Sequence, residues 1–125
     1  MAEYKTIKGF KTQSYATDPV PATAAWSSGG SFNAARSGRG AAGPSSATLM
    51  FGGFNPTSSV HGDTETYNGT AWTETNNLNT SRAYGAPAQQ GSQTAALMAS
   101  GTTSAVDGTW VEEWDGTSWT EKKMI

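Results

Sequence analysis

Apolar residues along this chain are spaced as in short β-strands rather than as in helices. No window places apolar residues at positions i, i+3, i+4 and i+7 for three turns, the spacing of an amphipathic helix. A short apolar run at 48–53 ends in Gly52-Gly53, and two later segments, 64–74 and 111–121, carry aromatic residues on both sides of a turn dipeptide. The pattern predicts an all-β chain.

The segments TETYNGTAWTE (64–74) and VEEWDGTSWTE (111–121) each predict a β-hairpin. Their turn dipeptides tolerate positive φ, which a two-residue hairpin turn requires. The predicted turns are Asn68-Gly69 and Asp115-Gly116. An aromatic residue precedes each turn and a tryptophan follows it, so we expect cross-strand pairing of these rings. The expected pairs are Tyr67 with Trp72 and Trp114 with Trp119.

Landmark residues recur along the chain at a nearly constant spacing. Trp26, Trp72 and Trp119 are 46 and 47 residues apart, and Arg36 and Arg82 are 46 apart. The segments 46–53 and 93–100 also align, at an offset of 47. Periods of roughly forty to fifty residues are typical of propeller blades. The spacing therefore predicts a repeat protein built from blade-like units.

One unit resembles the kelch repeat. A strand (48–53) ends in Gly-Gly, a hairpin carries Tyr67 and Trp72, and Arg82 follows after a short loop. The resemblance implies that each unit is a four-stranded antiparallel blade of a β-propeller. It also implies that Arg82 and its equivalent Arg36 are structural and bond carbonyl groups between blades; a ligand role for them is the alternative.

The second copy departs from the kelch pattern, because Ala99-Ser100 stands in place of Gly-Gly and Trp114 in place of tyrosine. The phrases NGTAWTE, LNTSR and GSQTAAL and the opening MAEYKTIKGF are similar to kelch-like repeats in structural and tail-associated proteins of tailed bacteriophages. The resemblance covers residues 22–121. It implies a virion protein that is assembled in the host cytoplasm.

The composition changes the expected core. Leu, Ile, Val and Phe supply only 13 of 125 residues, but a net charge of −2 does not favour disorder. We therefore expect aromatic residues, with five Trp, four Tyr and four Phe, to replace aliphatic ones in a thin core. Thr, Ser and Gly total 47 residues, which is typical of turn-rich β proteins, and no cysteine is present.

The chain divides into an N-terminal arm (1–21) and a blade domain (22–125). Pro19 and Pro21 favour an extended end to the arm. A docking arm that adds to a neighbouring subunit is one interpretation, and a frayed terminus is the other. The arm alternates basic with apolar residues, and its candidate docking residues are Tyr4, Lys5, Ile7, Lys8, Phe10 and Lys11.

The domain contains roughly two and a half blades, whereas closed propellers use at least about four. A partial unit spans 26–36, a full unit spans about 47–82, and another begins near Gln93. Because repeats bury apolar faces only against neighbouring repeats, we expect oligomerisation, with two or three chains per ring. Packing against other virion proteins, or membership of a longer polypeptide, are the alternatives.

Candidate chemistry is sparse, and we expect no enzyme activity, cofactor or metal. His61 is the single histidine; with Asp63 and Glu65 it offers a candidate cation site, although solvated loop residues are the favoured interpretation. Glu112 and Glu113 point to opposite sides of a strand and are predicted as surface charges that discourage stray strand pairing.

Three further motifs receive structural interpretations. Gly29-Gly30 and Gly52-Gly53 lack the sequence context of phosphate-binding loops and are predicted to serve unusual φ angles or close strand approach. Glycosylation sequons occur at 68–70 and 79–81, but the first coincides with a predicted turn. Eight basic residues without a basic stripe do not favour nucleic-acid binding, and no apolar run of about 18 residues predicts membrane insertion.

The sequence favours a non-enzymatic virion structural protein, in a capsid decoration, a tail or a fibre. Its expected partners are copies of itself and other virion proteins. The alternative is a carbohydrate-binding adhesin module for host attachment, whose Thr-, Ser- and Gly-rich loops would contact host surface polysaccharide.

Overall fold

The computed structural model describes residues 27–88 and 90–122, and every regular element in those ranges is a β-strand. The strands form two antiparallel four-stranded sheets. The first contains β1 (Gly40–Ala42), β2 (Leu49–Phe54), β3 (Val60–Tyr67) and β4 (Trp72–Thr75), and the second contains β5 (Ala86–Pro87), β6 (Ala96–Ala99), β7 (Val111–Trp114) and β8 (Trp119–Lys122). The predicted all-β class is confirmed.

Some of the predicted features lie in the N-terminal part of the chain, before residue 27. The arm, its six candidate docking residues and Trp26 lie outside the described residues. Within the two described ranges, no helix is long and apolar enough to cross a membrane.

Both sheets are meanders in which each strand pairs with its neighbour in sequence. Each sheet begins earlier in the chain than the predicted unit did, at Gly40 and Ala86 rather than near 47 and 93. The first strand of each sheet is short and contains no aromatic residue. The repeating landmarks therefore gave no signal for it, and Arg82 belongs to the loop before the second sheet rather than to the end of the first.

The two predicted hairpins and their aromatic pairs are confirmed. Tyr67 faces Trp72 across the first hairpin, with ring centroids 4.9 Å apart. Trp114 faces Trp119 across the second, at 5.4 Å. Such cross-strand aromatic pairs contribute roughly 0.5–1 kcal/mol each beyond the burial of their surface.

The first turn is centred one residue later than predicted. The amide of Asn68 donates to the carbonyl of Ala71 at 3.2 Å, which leaves Gly69 and Thr70 as the central residues. Gly69 alone of these has positive φ, 93°, and it occupies the position where a type II′ turn takes glycine. The Asn68 side chain instead accepts hydrogen bonds from the amides of Thr70 and Ala71, both at 2.9 Å.

The second turn repeats this arrangement with a carboxylate. Gly116 has a φ of 97°, and Asp115 accepts hydrogen bonds from the amides of Thr117 and Ser118, both at 2.8 Å. The amide of Ser118, followed by that of Thr117, holds the pKa of Asp115 below its ordinary value. Because the folded pKa is lowered, this contribution to stability is present above the unfolded pKa and is lost as the pH falls through the folded one.

The glycine pair at the end of β2 has the backbone role that the sequence predicted. Gly52 and Gly53 have φ angles of 65° and 115°, which side-chain-bearing residues rarely adopt. A Cβ on Gly53 would also lie 2.7 Å from the carbonyl oxygen of Ser37. The other pair confirms the expected close approach, since a Cβ on Gly30 would lie 2.5 Å from the carbonyl oxygen of Thr70.

The equivalent pair in the second sheet is Ser100-Gly101, not Ala99-Ser100 as predicted. Ser100 and Gly101 have φ angles of 57° and 115°, nearly the values of Gly52 and Gly53. The strand registers show the reason: Met50 opposes Glu65 in the first sheet and Met98 opposes Glu112 in the second. The true offset of this strand is therefore 48, and the glycine with φ of 115° is retained.

The two sheets pack face to face through one core. Each sheet has an aromatic face, which we define by Met50, Glu65, Tyr67 and Trp72 in the first sheet and by Met98, Glu112, Trp114 and Trp119 in the second. Each reverse face is defined by Leu49, Phe51 and Thr64 in the first sheet and by Leu97, Ala99 and Val111 in the second. The aromatic face of the second sheet lies on the reverse face of the first.

Side chains from both sheets and from the intervening loop form this core. Its buried members are Ala42, Leu49, Phe51, Leu78, Ala96, Met98, Trp114 and Trp119. Trp119 lies at its centre, since its ring packs against Phe51 with centroids 4.8 Å apart and its Nε1–H donates to the hydroxyl of Thr64 at 3.0 Å. Three of these eight residues are aromatic, and Leu49, Leu78 and Met98 belong to the core as well, so aromatic residues add to aliphatic ones here rather than replace them.

Candidate functional site

Each sheet buries one glutamate on its aromatic face, at equivalent positions of the repeat. Glu65 in β3 and Glu112 in β7 are both fully buried. Each is paired with an arginine from the loop before its sheet, Glu65 with Arg36 and Glu112 with Arg82. A buried carboxylate requires a compensating charge and hydrogen-bond donors, and the two loops supply both.

In the first sheet, Asn33 and Arg36 bind Glu65 from one side. The backbone amide and the side-chain amide of Asn33 both donate to Oε2 of Glu65 at 2.9 Å. Arg36 donates from Nη2 to Oε1, and its Nη1 donates to the carbonyl of Asp63 at 2.7 Å. Asn33 also reaches the carbonyl of Trp72 at 3.3 Å, so the loop is attached to both β3 and β4.

The second sheet reproduces this cluster with an additional donor. The backbone and side-chain amides of Asn79 donate to Oε2 of Glu112 at 2.8 and 3.0 Å, and the amide of Thr80 donates to Oε1 at 3.2 Å. Arg82 donates to Oε1 at 2.5 Å and to the carbonyl of Met98 at 3.3 Å. We call Asn33, Arg36 and Glu65 the first clamp, and Asn79, Arg82 and Glu112 the second clamp.

Each clamp joins a loop to a sheet. As the resemblance implied, both arginines bond carbonyl groups, but each side chain bonds within one sheet and its preceding loop rather than between the two sheets. Arg82 contacts the first sheet through its backbone, since its carbonyl accepts a hydrogen bond from the amide of Gly53 at 3.0 Å. Within the described residues, the buried Nε of Arg82 has no hydrogen-bond partner.

The prediction that Glu112 is a surface charge was wrong, whereas Glu113 is exposed and pairs with Lys122 at 2.8 Å. The two do point to opposite sides of β7, as predicted. Sequence reasoning also missed that Glu65 is buried and that Asn33 and Asn79 donate hydrogen bonds to the two buried carboxylates. A signal was present, because the pattern Asn-x-x-Arg recurs at 33–36 and 79–82 and a glutamate precedes the first aromatic residue of each hairpin by two positions.

The candidate cation site does not come together. His61 Nδ1 lies 3.1 Å from Oδ2 of Asp63, and its Nε2 lies 3.0 Å from the side-chain nitrogen Nδ2 of Asn55. Glu65 is occupied by the first clamp. Among residues 27–88 and 90–122, no group of three His, Cys, Asp or Glu side chains is placed to hold a metal ion.

The aromatic faces of the two sheets differ in how far they are covered. Trp114 and Trp119 are buried, with 1% and 5% of their surfaces exposed, because the first sheet lies on them. Their equivalents Tyr67 and Trp72 are only half-buried. The loop before β1 packs on this face through the first clamp and through Phe32, whose ring centroid lies 4.5 Å from that of Trp72.

The reverse face of the second sheet is also only partly covered by residues 27–88 and 90–122. Leu97 and Val111 are half-buried there, while Leu49 and Thr64 at the equivalent positions of the first sheet are fully buried. Among the residues that the structure describes, the two-sheet stack therefore ends in two different, partly covered faces, which we call open: an aromatic face on the first sheet and a reverse face on the second.

A separate feature is an exposed tyrosine beside an open cleft. Tyr84 is 69% exposed, has a φ of 54° and packs its ring 5.3 Å from that of Phe54. The cleft is lined by Ser37, Phe54, Asn55, Pro56, Ser58 and Tyr84. An exposed ring flanked by hydroxyl and amide groups offers a stacking surface with polar contacts at its edge.

Comparison of the chain with protein-family models and with curated proteins gives no match.

Proposed function

We propose that this protein is a non-enzymatic structural component whose two sheets are kelch-like blades, and that it acts by stacking these blades against further sheets. The two clamps support this assignment, because the buried acids at the centre of each sheet are neutralised by arginine and serve to hold loops in place. The blade interpretation draws on the four-stranded meander and on the repeated backbone angles.

One observation carries the proposal: equivalent aromatic residues are buried in one sheet and half-exposed in the other. Burial of apolar surface stabilises by roughly 25 cal/mol per Å2. Covering the exposed part of Trp72 with another molecule would therefore favour association. Repeat units need a neighbour on each side, and terminal units without a polar outer face are insoluble or associate. The protein is therefore proposed to complete its stack with other molecules.

The context that we propose for this assembly is the virion of a tailed bacteriophage, in a capsid decoration, a tail or a fibre. It rests on the resemblance of the repeats to kelch-like proteins of such particles. A particle supplies many copies at fixed positions, which suits a chain that exposes one sheet face at each end. Copies of this chain and other virion proteins are the proposed partners.

Sedimentation velocity over a range of concentrations tests the assembly. We expect the 13.0 kDa chain to sediment at a multiple of its mass and to dissociate on dilution. Near-UV circular dichroism, measured alongside, reports whether the dissociated chain keeps its aromatic packing. A folded protein that stays monomeric at every concentration, with and without candidate virion partners, would contradict the proposal.

A second candidate function, glycan binding, is favoured by Tyr84. Its exposed ring could stack on a sugar, with Ser37, Asn55 and Ser58 as hydrogen-bonding groups in the same cleft. Under this proposal the protein attaches to host surface polysaccharide.

Titration with host polysaccharide fragments, followed by calorimetry, tests the glycan proposal. We expect binding that falls about five- to tenfold in Tyr84→Ala, the loss of a stacking contact with a sugar worth about 1–1.4 kcal/mol. Val106→Ala, at another exposed apolar position, is the matched control and should bind as the parent protein does. Equal binding by both variants would place the glycan elsewhere, and no binding by the parent would remove this candidate.

A further inference from the structure

We infer that the open aromatic face of the first sheet binds the open reverse face of the second sheet in another copy of this chain. The inference rests on the proposed self-assembly and specifies which surfaces meet. The interface inside the chain shows what covers an aromatic face, because the aromatic face of the second sheet lies on a reverse face. The same kind of contact between chains would be head-to-tail, with one unlike surface from each copy.

The polar groups at the two open faces fit such a contact. Inside the chain, Trp119 Nε1–H reaches across the interface to the hydroxyl of Thr64. Trp72 donates instead to the carbonyl of Gly30 in its own loop, at 3.0 Å. The reverse face of the second sheet has Val111 where the first has Thr64. In the proposed contact, Trp72, whose Nε1–H is already bonded to Gly30, would lie against Val111, which offers no side-chain acceptor. Stacking would therefore leave no buried donor without a partner.

The sizes of the apolar side chains fit as well. Inside the chain, the ring against Trp119 is Phe51 of the opposite sheet. On the open reverse face of the second sheet, Ala99 stands at the position that Phe51 occupies in the first sheet. On the open aromatic face, the ring against Trp72 is Phe32 of the loop before β1. The aromatic ring has changed sides between the two interfaces, while the position opposite it has become small. Close packing is maintained by such paired changes of volume.

The edge of the reverse face carries the exposed Glu113–Lys122 pair, with 53% and 51% of the side chains accessible. Half-buried Leu97, Ala99 and Val111 lie beside it. An apolar centre with a charged rim is the composition of interfaces that form between separately folded molecules. Head-to-tail contacts close into a ring when the rotation between copies allows it, and otherwise extend as a filament.

Two variants that each block one face test the inference by complementation. Ala99→Arg places a charge on the reverse face of the second sheet and leaves the aromatic face of the first intact. Phe32→Asp places a charge on the aromatic face of the first sheet and leaves the reverse face of the second intact. We expect each variant alone to sediment as a monomer at concentrations where the parent protein is assembled. An equimolar mixture should form a 1:1 complex of twice the chain mass of 13.0 kDa and grow no further.

Controls separate loss of contact from loss of fold. Ser104→Arg and Ser104→Asp add the same charges in an exposed turn and should assemble as the parent does. A blocking variant whose urea midpoint falls below that of the controls is replaced by a substitution at an exposed position of the same face. Thr120→Arg then replaces Ala99→Arg on the reverse face, and Glu74→Arg replaces Phe32→Asp on the aromatic face.

The outcomes distinguish this inference from the proposed self-assembly. If the parent protein is a monomer, the self-assembly itself fails. If the parent assembles but Ala99→Arg alone still dimerises, two aromatic faces bind one another and the head-to-tail contact is wrong. If both folded blocking variants assemble as the parent does, the contact uses neither face and the inference is overturned.

Discussion

Trp119→Ala is expected to lower the free energy of unfolding by about 3–5 kcal/mol, the usual cost of emptying a buried tryptophan site. The ring lies between the sheets against Phe51, and its Nε1–H satisfies the buried hydroxyl of Thr64. Trp72→Ala removes the equivalent ring from a face that is only half-buried. We expect it to cost about 1–2 kcal/mol in a dissociated chain, because less surface returns to water.

Urea unfolding of both variants, followed by far-UV circular dichroism at concentrations where the parent is dissociated, measures the difference. Trp119→Phe separates packing from hydrogen bonding: it keeps most of the apolar contact and leaves Thr64 without its donor, at an expected cost of about 1–3 kcal/mol. Equal losses for Trp72→Ala and Trp119→Ala would show that the two faces are equally covered, contrary to the structure.

Arg82→Met is expected to destabilise the protein by about 3–5 kcal/mol, because it leaves the carboxylate of Glu112 buried without its countercharge. Both side chains of this pair are fully buried, so water does not replace the lost partner. The second clamp also holds the loop at 79–82, which supplies donors to that carboxylate. Loosening of this loop adds to the loss.

The double variant Arg82→Met/Glu112→Met distinguishes the charge from the packing. Since apolar replacements of a whole buried ion pair are often neutral, we expect the double variant to be more stable than Arg82→Met alone in urea unfolding. Lys122→Met breaks the exposed pair with Glu113 and should change stability by no more than about 1 kcal/mol. A double variant less stable than Arg82→Met would contradict this expectation and show that the donors of Asn79 and Thr80, left without their acceptor, cost more than the unpaired charge.

The features that sequence reasoning predicted well are those specified within a few residues. The hairpins follow from a glycine in the turn flanked by aromatic residues, and Gly52-Gly53 marks backbone angles that only such residues adopt readily. The period of the repeat was evident because tryptophan is rare and conspicuous. Even here the turn centre was displaced by one residue, since Asn68 caps its own turn through the side chain rather than adopting positive φ.

The features that were missed depend on contacts between distant residues. The recurrence of Asn-x-x-Arg and of the glutamate marks both clamps as repeated features, but it does not indicate that Arg82 neutralises Glu112, thirty residues later. Charged residues are usually exposed, so burial of an ion pair becomes evident only when the loop and the sheet are seen together. The offset of 48 in β6 was hidden for a related reason, because only strand pairing distinguishes it from 47.

The double attachment of Arg82 makes the folding of the two sheets interdependent. Its side chain belongs to the second sheet through Glu112, while its carbonyl is the acceptor for the amide of Gly53 in the first. Opening the second sheet releases Arg82, and the Gly53 amide then loses its protection from solvent exchange. Hydrogen exchange at that single position of the first sheet thus reports the opening of the second, as in one cooperative unfolding unit.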